Sequence, residues 1–391
     1  MTLILFVLVL SLLVFVHEFG HFIAARKSGM KVYEFALGFP PLALGFYKDP
    51  KTKKIVRVTP KDVKKRKLMA GGGAAVDEQF EYPATLYSLN LIPLGGFCKI
   101  KGENGEHVRD SDSFGFQKTW KKVVVLVAGV TMNYLLAAVL IGIGFMIGLP
   151  MDVSGGVDSS AILLEHPSVV VQHVEEKSPA KSAGITLGDT ILNIDGVPME
   201  NSREMIAYVS EHKQDVLDIE ILRDETSQHI SITPEVVVAG EPARLGVVLA
   251  DAAVVQYPWY IAIYKGFVSA TFGLISIFIS FFLLIKGLLL GQGLAFGVAG
   301  PVGIASIIGD SARLGIHYLI NVTAMISLSL AAINILPIPA LDGGRLVFVL
   351  IEGVFKKPVP LKYEQLAHTI GFVLLLVLIV IVTFRDIMGL I

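Results

Sequence analysis

The sequence predicts a polytopic α-helical membrane protein with about four transmembrane helices and one extracytoplasmic α+β domain. Three observations carry this. The 391 residues are 53% hydrophobic and 17% charged, against roughly a quarter charged in a soluble protein. The apolar excess is segmental, with runs at 2–24, 123–149, 318–341 and 367–384, and a helix needs about 20 such residues to cross a bilayer. The basic residues are unevenly placed: residues 25–122 hold 19 of the 33 Lys and Arg, and residues 150–258 hold 6. Cytoplasmic loops collect Lys and Arg, so 25–122 is expected inside, and 150–258 and the N-terminus outside.

The first run has no basic segment before it and no small-residue cleavage site, so it reads as an uncleaved span. Residues 51–75 are basic and then Gly-rich at Gly71-Gly72-Gly73, as in a flexible insert. Trp120, Lys121 and Lys122 form an interfacial anchor before the second run. Stretches 169–174, 190–194, 216–222 and 230–232 alternate like strands between turn signals such as Asp195-Gly196, and 202–212 reads as a helix. Residues 259–290 are long enough to cross. A crossing there would place Arg345, Lys356, Lys357 and Lys362 outside, so the segment is expected to lie along, or re-enter, the outer interface. The division is then a membrane domain over residues 1–150, a soluble domain over 157–250 and a second membrane region over 251–391.

A net charge of −1 gives no electrostatic case for nucleic acid. A single cysteine, Cys98, excludes an intramolecular disulfide and a cysteine-rich metal site.

Chemistry enters through His17-Glu18-Phe19-Gly20-His21. Helical positions i and i+4 share a face, so His17 and His21 can grip one Zn2+ ion, and Glu18 can act as general base on a water that the metal acidifies. Ionisable groups at membrane depth cost about 2.5–3.5 kcal/mol on insertion scales, which marks them as functional. Near the end of the third run stands Asn334-Ile335-Leu336-Pro337-Ile338-Pro339-Ala340-Leu341-Asp342-Gly343-Gly344. Asp342 is the candidate third ligand, since a carboxylate completes a three-residue zinc site with one open position. The prolines break the helix, and such backbone at membrane depth must line a cavity or be buried in protein. Both motifs fall near the inner ends of their spans. The remaining histidines lack ligand spacing: His107, His166, His173, His212, His229 and His317 are scattered, and His368 reads as interfacial.

These motifs resemble the site-2 protease family of intramembrane zinc metalloproteases, especially its bacterial RseP-like branch. HEFGH is similar to the family's zinc and base motif, and NILPIPALDGG to its second signature. Gly300-Pro301-Val302-Gly303-Ile304 and Ala128-Gly129 with Asn133 resemble two further segments, with Val130 where a proline is usual. The resemblance implies His17, His21 and Asp342 as ligands and Glu18 as base. It implies a substrate-contacting role for Asn334, although a helix-packing asparagine is equally open. Residues 86–100, with Gly95, Gly96 and Phe97, resemble a membrane re-entrant β element that receives unwound substrate by strand addition; an amphipathic loop strand is the plainer reading. Residues 33–46 resemble its companion. Residues 178–196 resemble a PDZ domain, one where the enteric branch has two.

The resemblance further implies a multi-pass protein of the bacterial cytoplasmic membrane, surrounded by lipid, with its active site toward the cytoplasm. Its substrates would be single-span membrane proteins, of the anti-sigma factor or signal-peptide-remnant type. The PDZ domain could take a peptide or a substrate ectodomain. The alternative is a catalytically inactive, PDZ-bearing membrane adaptor.

Overall fold

The computed structural model describes residues 1–69, 82–164, 166–175, 178–213, 215–223, 226–236, 243–291, 299–357 and 359–389. These form two compact units: Met1–Ile141 with Gly266–Ile391, and Gly142–Lys265.

In the first unit, helix α1 (Thr2–Lys27) leads to strand β1 (Val32–Lys48), strand β2 (Ile55–Val58), helix α2 (Pro60–Met69), strand β3 (Leu86–Ile100) and helix α3 (Thr119–Ile147). The flexible insert expected at 51–75 therefore begins as a strand and a helix, since Val56 and Val58 pair with Tyr47 and Gly45 of β1. Its Gly71–Gly73 end lies outside the described residues.

Strands β1 and β3 each fold back on themselves and interlock. Phe35 stands opposite both Tyr87 and Cys98, and Leu37 opposite both Leu89 and Gly96; further along β1, Leu44 and Phe46 face Leu89 and Tyr87 again. The order across the sheet is thus β2, the later half of β1, the early half of β3, the early half of β1, and the later half of β3. Residues 96–100 pair on one side only among the described residues. Helix α1 lays an aromatic row on this sheet. Phe15, Phe19 and Phe22 approach Phe35 at ring distances of 5.5, 6.2 and 5.0 Å, spaced as one helical face. Ser11 Oγ donates to the Pro93 carbonyl at 2.7 Å.

The second unit contains β4 (Leu149–Asp152), β5 (Ile162–Leu163), β6 (Ser168–Val174), α4 (Pro179–Ala183), β7 (Thr190–Ile194), β8 (Val197–Pro198), α5 (Ser202–Glu211), β9 (Leu217–Arg223), β10 (Thr226–Ile232) and β11 (Val247–Gln256). The sheet order is β10-β9-β7-β6-β11-β4, with β5 on β11 and β8 on β7. Alternation drives it: Leu217, Ile219 and Ile221 are buried on one face, against Val169, Val171, Ile191, Ile194 and Met205. Every strand expected from the sequence is present. Strands β4 and β11 lie at or beyond the expected 157–250 boundaries; Ala250, Asp251, Ala252 and Ala253 dilute the strand signal in β11. Side chains cap both helices, Ser178 accepting from Lys181 N–H at 3.2 Å and Asn201 from Glu204 N–H at 2.9 Å.

One buried ion pair locks this unit. The Asp189 side chain is 1% exposed and accepts from Arg223 Nε at 2.7 Å and from the Thr186 N–H at 2.8 Å. Burial pushes its carboxyl up, but the Arg223 guanidinium and the Thr186 N–H outweigh this and hold it below the usual carboxylate range. A depressed folded-state pKa stabilises above the unfolded value, near 3.9, and this contribution is lost as pH falls through the folded value. Asp189→Asn is expected to destabilise the unit by roughly 2–4 kcal/mol at pH 7. The penalty should shrink below about pH 4, as measured by urea unfolding at the two pH values.

The chain then runs through α6 (Trp259–Leu289), α7 (Pro301–Leu314), α8 (Ile316–Ile335), α9 (Asp342–Phe355) and α10 (Leu361–Gly389). Segment 259–290, expected as an interfacial or re-entrant element, is helical from Trp259 to Leu289. It is one unbroken helix, because it holds no proline. It packs on α3, with Tyr134 Oη and Thr271 Oγ1 sharing a 2.8 Å hydrogen bond. Lys265 and Lys286 bracket its apolar stretch, and Lys265 pairs with Asp158. With α1, α3, α8 and α10 it makes five helices, among the described residues, long and apolar enough to cross a membrane. Helix α7 packs Ile308 against Val9 and Leu13 of α1, and its N-terminus is capped by Asp386, which accepts from the Gly303 N–H at 2.8 Å.

Candidate metal centre

Helices α1 and α8 bring the two sequence motifs together. Helix α8 stops at Ile335, short of the apolar run's end at 341. Leu336 precedes Pro337 and turns extended, with ψ 145°, as a residue before proline must. The chain then crosses a short loop in which Ala340 has φ +79°. His368 of α10 holds this loop, since its Nδ1 accepts the Ala340 N–H at 2.8 Å. His368, read from the sequence as interfacial, thus braces the loop that presents Asp342.

Asp342 opens α9. The two residues after it must be glycine for steric reasons: a Cβ on Gly343 would collide with the Leu336 carbonyl oxygen, and one on Gly344 with that of Ile338. The loop can therefore fold tightly over the first turn of α9 and aim the carboxylate at α1.

The result is a triad of ligand atoms. His17 Nε2 lies 3.0 Å from Asp342 Oδ2, His21 Nε2 lies 3.3 Å from the same oxygen, and the two nitrogens are 3.1 Å apart. Ligands held about 2.0–2.1 Å from a tetrahedral zinc lie about 3.3 Å from one another. Both histidines are buried, and among the described residues only these three form a cluster able to hold a metal ion.

Helix α3 backs the triad. The Val125 carbonyl lies 2.8 Å from His21 Nδ1 and accepts its proton, which leaves Nε2 free as a ligand. Gly129 sits directly behind the ligand atoms: a Cβ there would lie 2.7 Å from His17 Nε2 and collide with His21 Nε2. Side-chain volume is therefore excluded from the place where a metal ion needs it. The donor set and this open face both fit Zn2+.

Glu18 is half-buried beside the triad and interacts electrostatically with His21, His17 and Asp342. A cavity of about 390 Å³ with a mixed polar and apolar lining reaches Asp342, lined also by Ala340, Leu341, Arg345, His368, Thr369 and Phe372. Arg345 pairs with Glu103 and donates to Asn104 Oδ1 at 3.2 Å. These residues had no distinguishing spacing in the sequence.

Gly95 and Gly96 are buried in β3, and Phe97 is half-buried. Gly96, Phe97 and Cys98 lie on the one-sided edge strand, and Cys98 is within electrostatic reach of Glu18. Asn334 is half-buried in the last turn of α8 and, among the described residues, makes no hydrogen bond to the triad. Gly129 and Asn133 stood in the sequence only as members of a second-span motif, without an assigned task.

A family profile described as Peptidase family M50 matches residues 5–79 and 56–378. The chain belongs to peptidase family M50. A Clostridium perfringens protein named as a zinc metalloprotease is 32% identical over 97% of this chain and 96% of its own length. The regulator of sigma-W protease RasP of Bacillus subtilis is 27% identical over 99% of this chain and 98% of its own. A PDZ domain of an SdrC-like protein of Listeria monocytogenes matches 22% of this chain and 93% of its own, at 22% identity and a TM-score of 0.21. The M50 chain is thus a zinc-dependent, multi-pass membrane protease of the site-2 type.

Proposed function

We propose that this protease hydrolyses peptide bonds within or beside transmembrane helices of single-span membrane proteins. The observation that carries this is the triad's position, on one apolar helix and just past the end of another, each long enough to span a bilayer. His17, His21 and Asp342 hold the zinc. Bound zinc supplies Lewis acidity, polarising the scissile carbonyl and acidifying water. Glu18 takes the proton from the attacking water and passes it to the leaving amine. The cavity at Asp342 and Arg345 lets water reach the site from the loop side.

A helical substrate has its backbone hydrogen bonds satisfied internally and must be unwound before attack. Edge strand 96–100 offers unpaired backbone groups for an added strand, with Gly95, Gly96 and Phe97 at its start and Cys98 within electrostatic reach of Glu18. Asn334 supplies a polar contact to the bound backbone.

The unit 142–265 carries a PDZ domain, supported by Ser178-Pro179-Ala180 and Gly188-Asp189 at its α4–β7 turns. It binds a peptide or excludes bulky ectodomains. The basic bias of 25–122 supports a cytoplasmic-side active site and an extracytoplasmic PDZ domain. The sigma-W role in the name of the Bacillus subtilis relative supports anti-sigma factors as substrates; signal-peptide remnants share the same single-span chemistry.

Chelator-treated protein, reconstituted in vesicles, is expected to lose cleavage of a single-span model substrate and to regain it with Zn2+. A soluble unfolded polypeptide should be cut far more slowly. Equal cleavage of the soluble chain would overturn the assignment of membrane helices as substrates.

A further inference from the structure

Helix α3 faces the triad with a single stripe, Val125, Gly129 and Asn133, spaced at four residues so that all three share one face. The first offers a carbonyl to His21 and the second makes room. Asn133 is 0% exposed, and its amide nitrogen lies 3.3 Å from His17 Nδ1. Its Oδ1 is buried with no hydrogen-bond partner among the described residues.

This arrangement carries a contradiction with metal binding. An amide N–H donating to Nδ1 requires the imidazole proton on Nε2, where it would point at His21 Nε2 and Asp342. A metal ligand needs the opposite tautomer, with the proton on Nδ1. The oxygen and nitrogen of a terminal amide occupy interchangeable positions. Rotating the amide by half a turn directs Oδ1 at His17 Nδ1, and the orphaned acceptor finds its donor.

We propose that Asn133 is a positioning residue for His17: its side-chain oxygen accepts the Nδ1 proton and holds Nε2 as a zinc ligand. It is to His17 what the Val125 carbonyl is to His21. The hydroxyl of Ser327 in α8 donates to the backbone carbonyl of Asn133 at 2.8 Å, with both groups buried. The helix that supports the first ligand is thereby tied to the helix that leads to the third.

The proposal rests on the triad as a zinc site, and its test reads the metal rather than the protease. In the purified full chain, zinc affinity is measured by chelator competition, and the Co2+-substituted protein by its visible spectrum. Asn133→Leu cannot accept a hydrogen bond and should weaken zinc binding about 10–100-fold and shift the Co2+ bands. Asn133→Asp keeps the acceptor and should hold affinity at or above wild type. Equal affinities for wild type and Asn133→Leu, or an equal loss in both variants, would overturn it, because a packing role predicts no difference between acceptor and non-acceptor. Should Asn133→Leu fail to fold, Asn133→Ala against Asn133→Asp makes the same comparison. If wild type binds zinc but cuts no membrane substrate, the functional reading fails while the affinity difference still decides this one.

Discussion

Replacing Glu18 with glutamine leaves zinc bound and stops cleavage. Glutamine keeps the shape of the side chain and removes its capacity to take a proton. The three candidate ligand atoms belong to His17, His21 and Asp342, so the substitution is expected to leave the metal site intact. A positioned general base contributes about 10²–10⁴-fold, and a loss of that size is expected in the rate constant for cleavage of a single-span substrate. Zinc content per chain should match wild type. Undiminished cleavage by Glu18→Gln would remove Glu18 from the mechanism; lost zinc would make it a structural support of the site.

The second large effect is Gly129→Ala, where two physical forces oppose each other. Alanine is favoured over glycine in a helix interior by about 0.8–1.0 kcal/mol, so α3 itself should gain. The new methyl would stand 2.7 Å from His17 Nε2 and collide with His21 Nε2. Unchanged or greater helicity by circular dichroism, with zinc content and cleavage both falling to near zero, is the expected signature. Normal zinc loading would show that the ligand cluster yields to the methyl.

What is legible in this chain is local. Apolar runs became α1, α3, α8 and α10, because length and hydropathy decide a span without reference to neighbours. Alternation located β6, β7, β9 and β10 to within a few residues. HEFGH was readable because helical spacing by itself places His17 and His21 together. Over segment 259–290, length and hydropathy favour a crossing and loop charge opposes it. The helix packs on α3, and only the fold reveals that. Residues 86–100 resemble a re-entrant β element, without a stated pairing. Their partnership with β1 on both sides, which leaves 96–100 as a free edge, depends on pairing across some 50 residues of chain.

The division between local and long-range information runs through the metal site. The candidate ligand types, the candidate base and the broken helix before Asp342 could all be read from the chain, because i,i+4 spacing and proline sterics are properties of neighbouring residues. The meeting of Asp342 with His17 and His21 at ligand distance, 3.0 and 3.3 Å, belongs to the folded molecule alone. The same holds for Val125, Gly129, Asn133 and His368, which serve the site from other helices. A carbonyl, an absent side chain and an amide acquire such tasks only when another helix is brought against them, and long-range packing leaves no periodic mark on the chain.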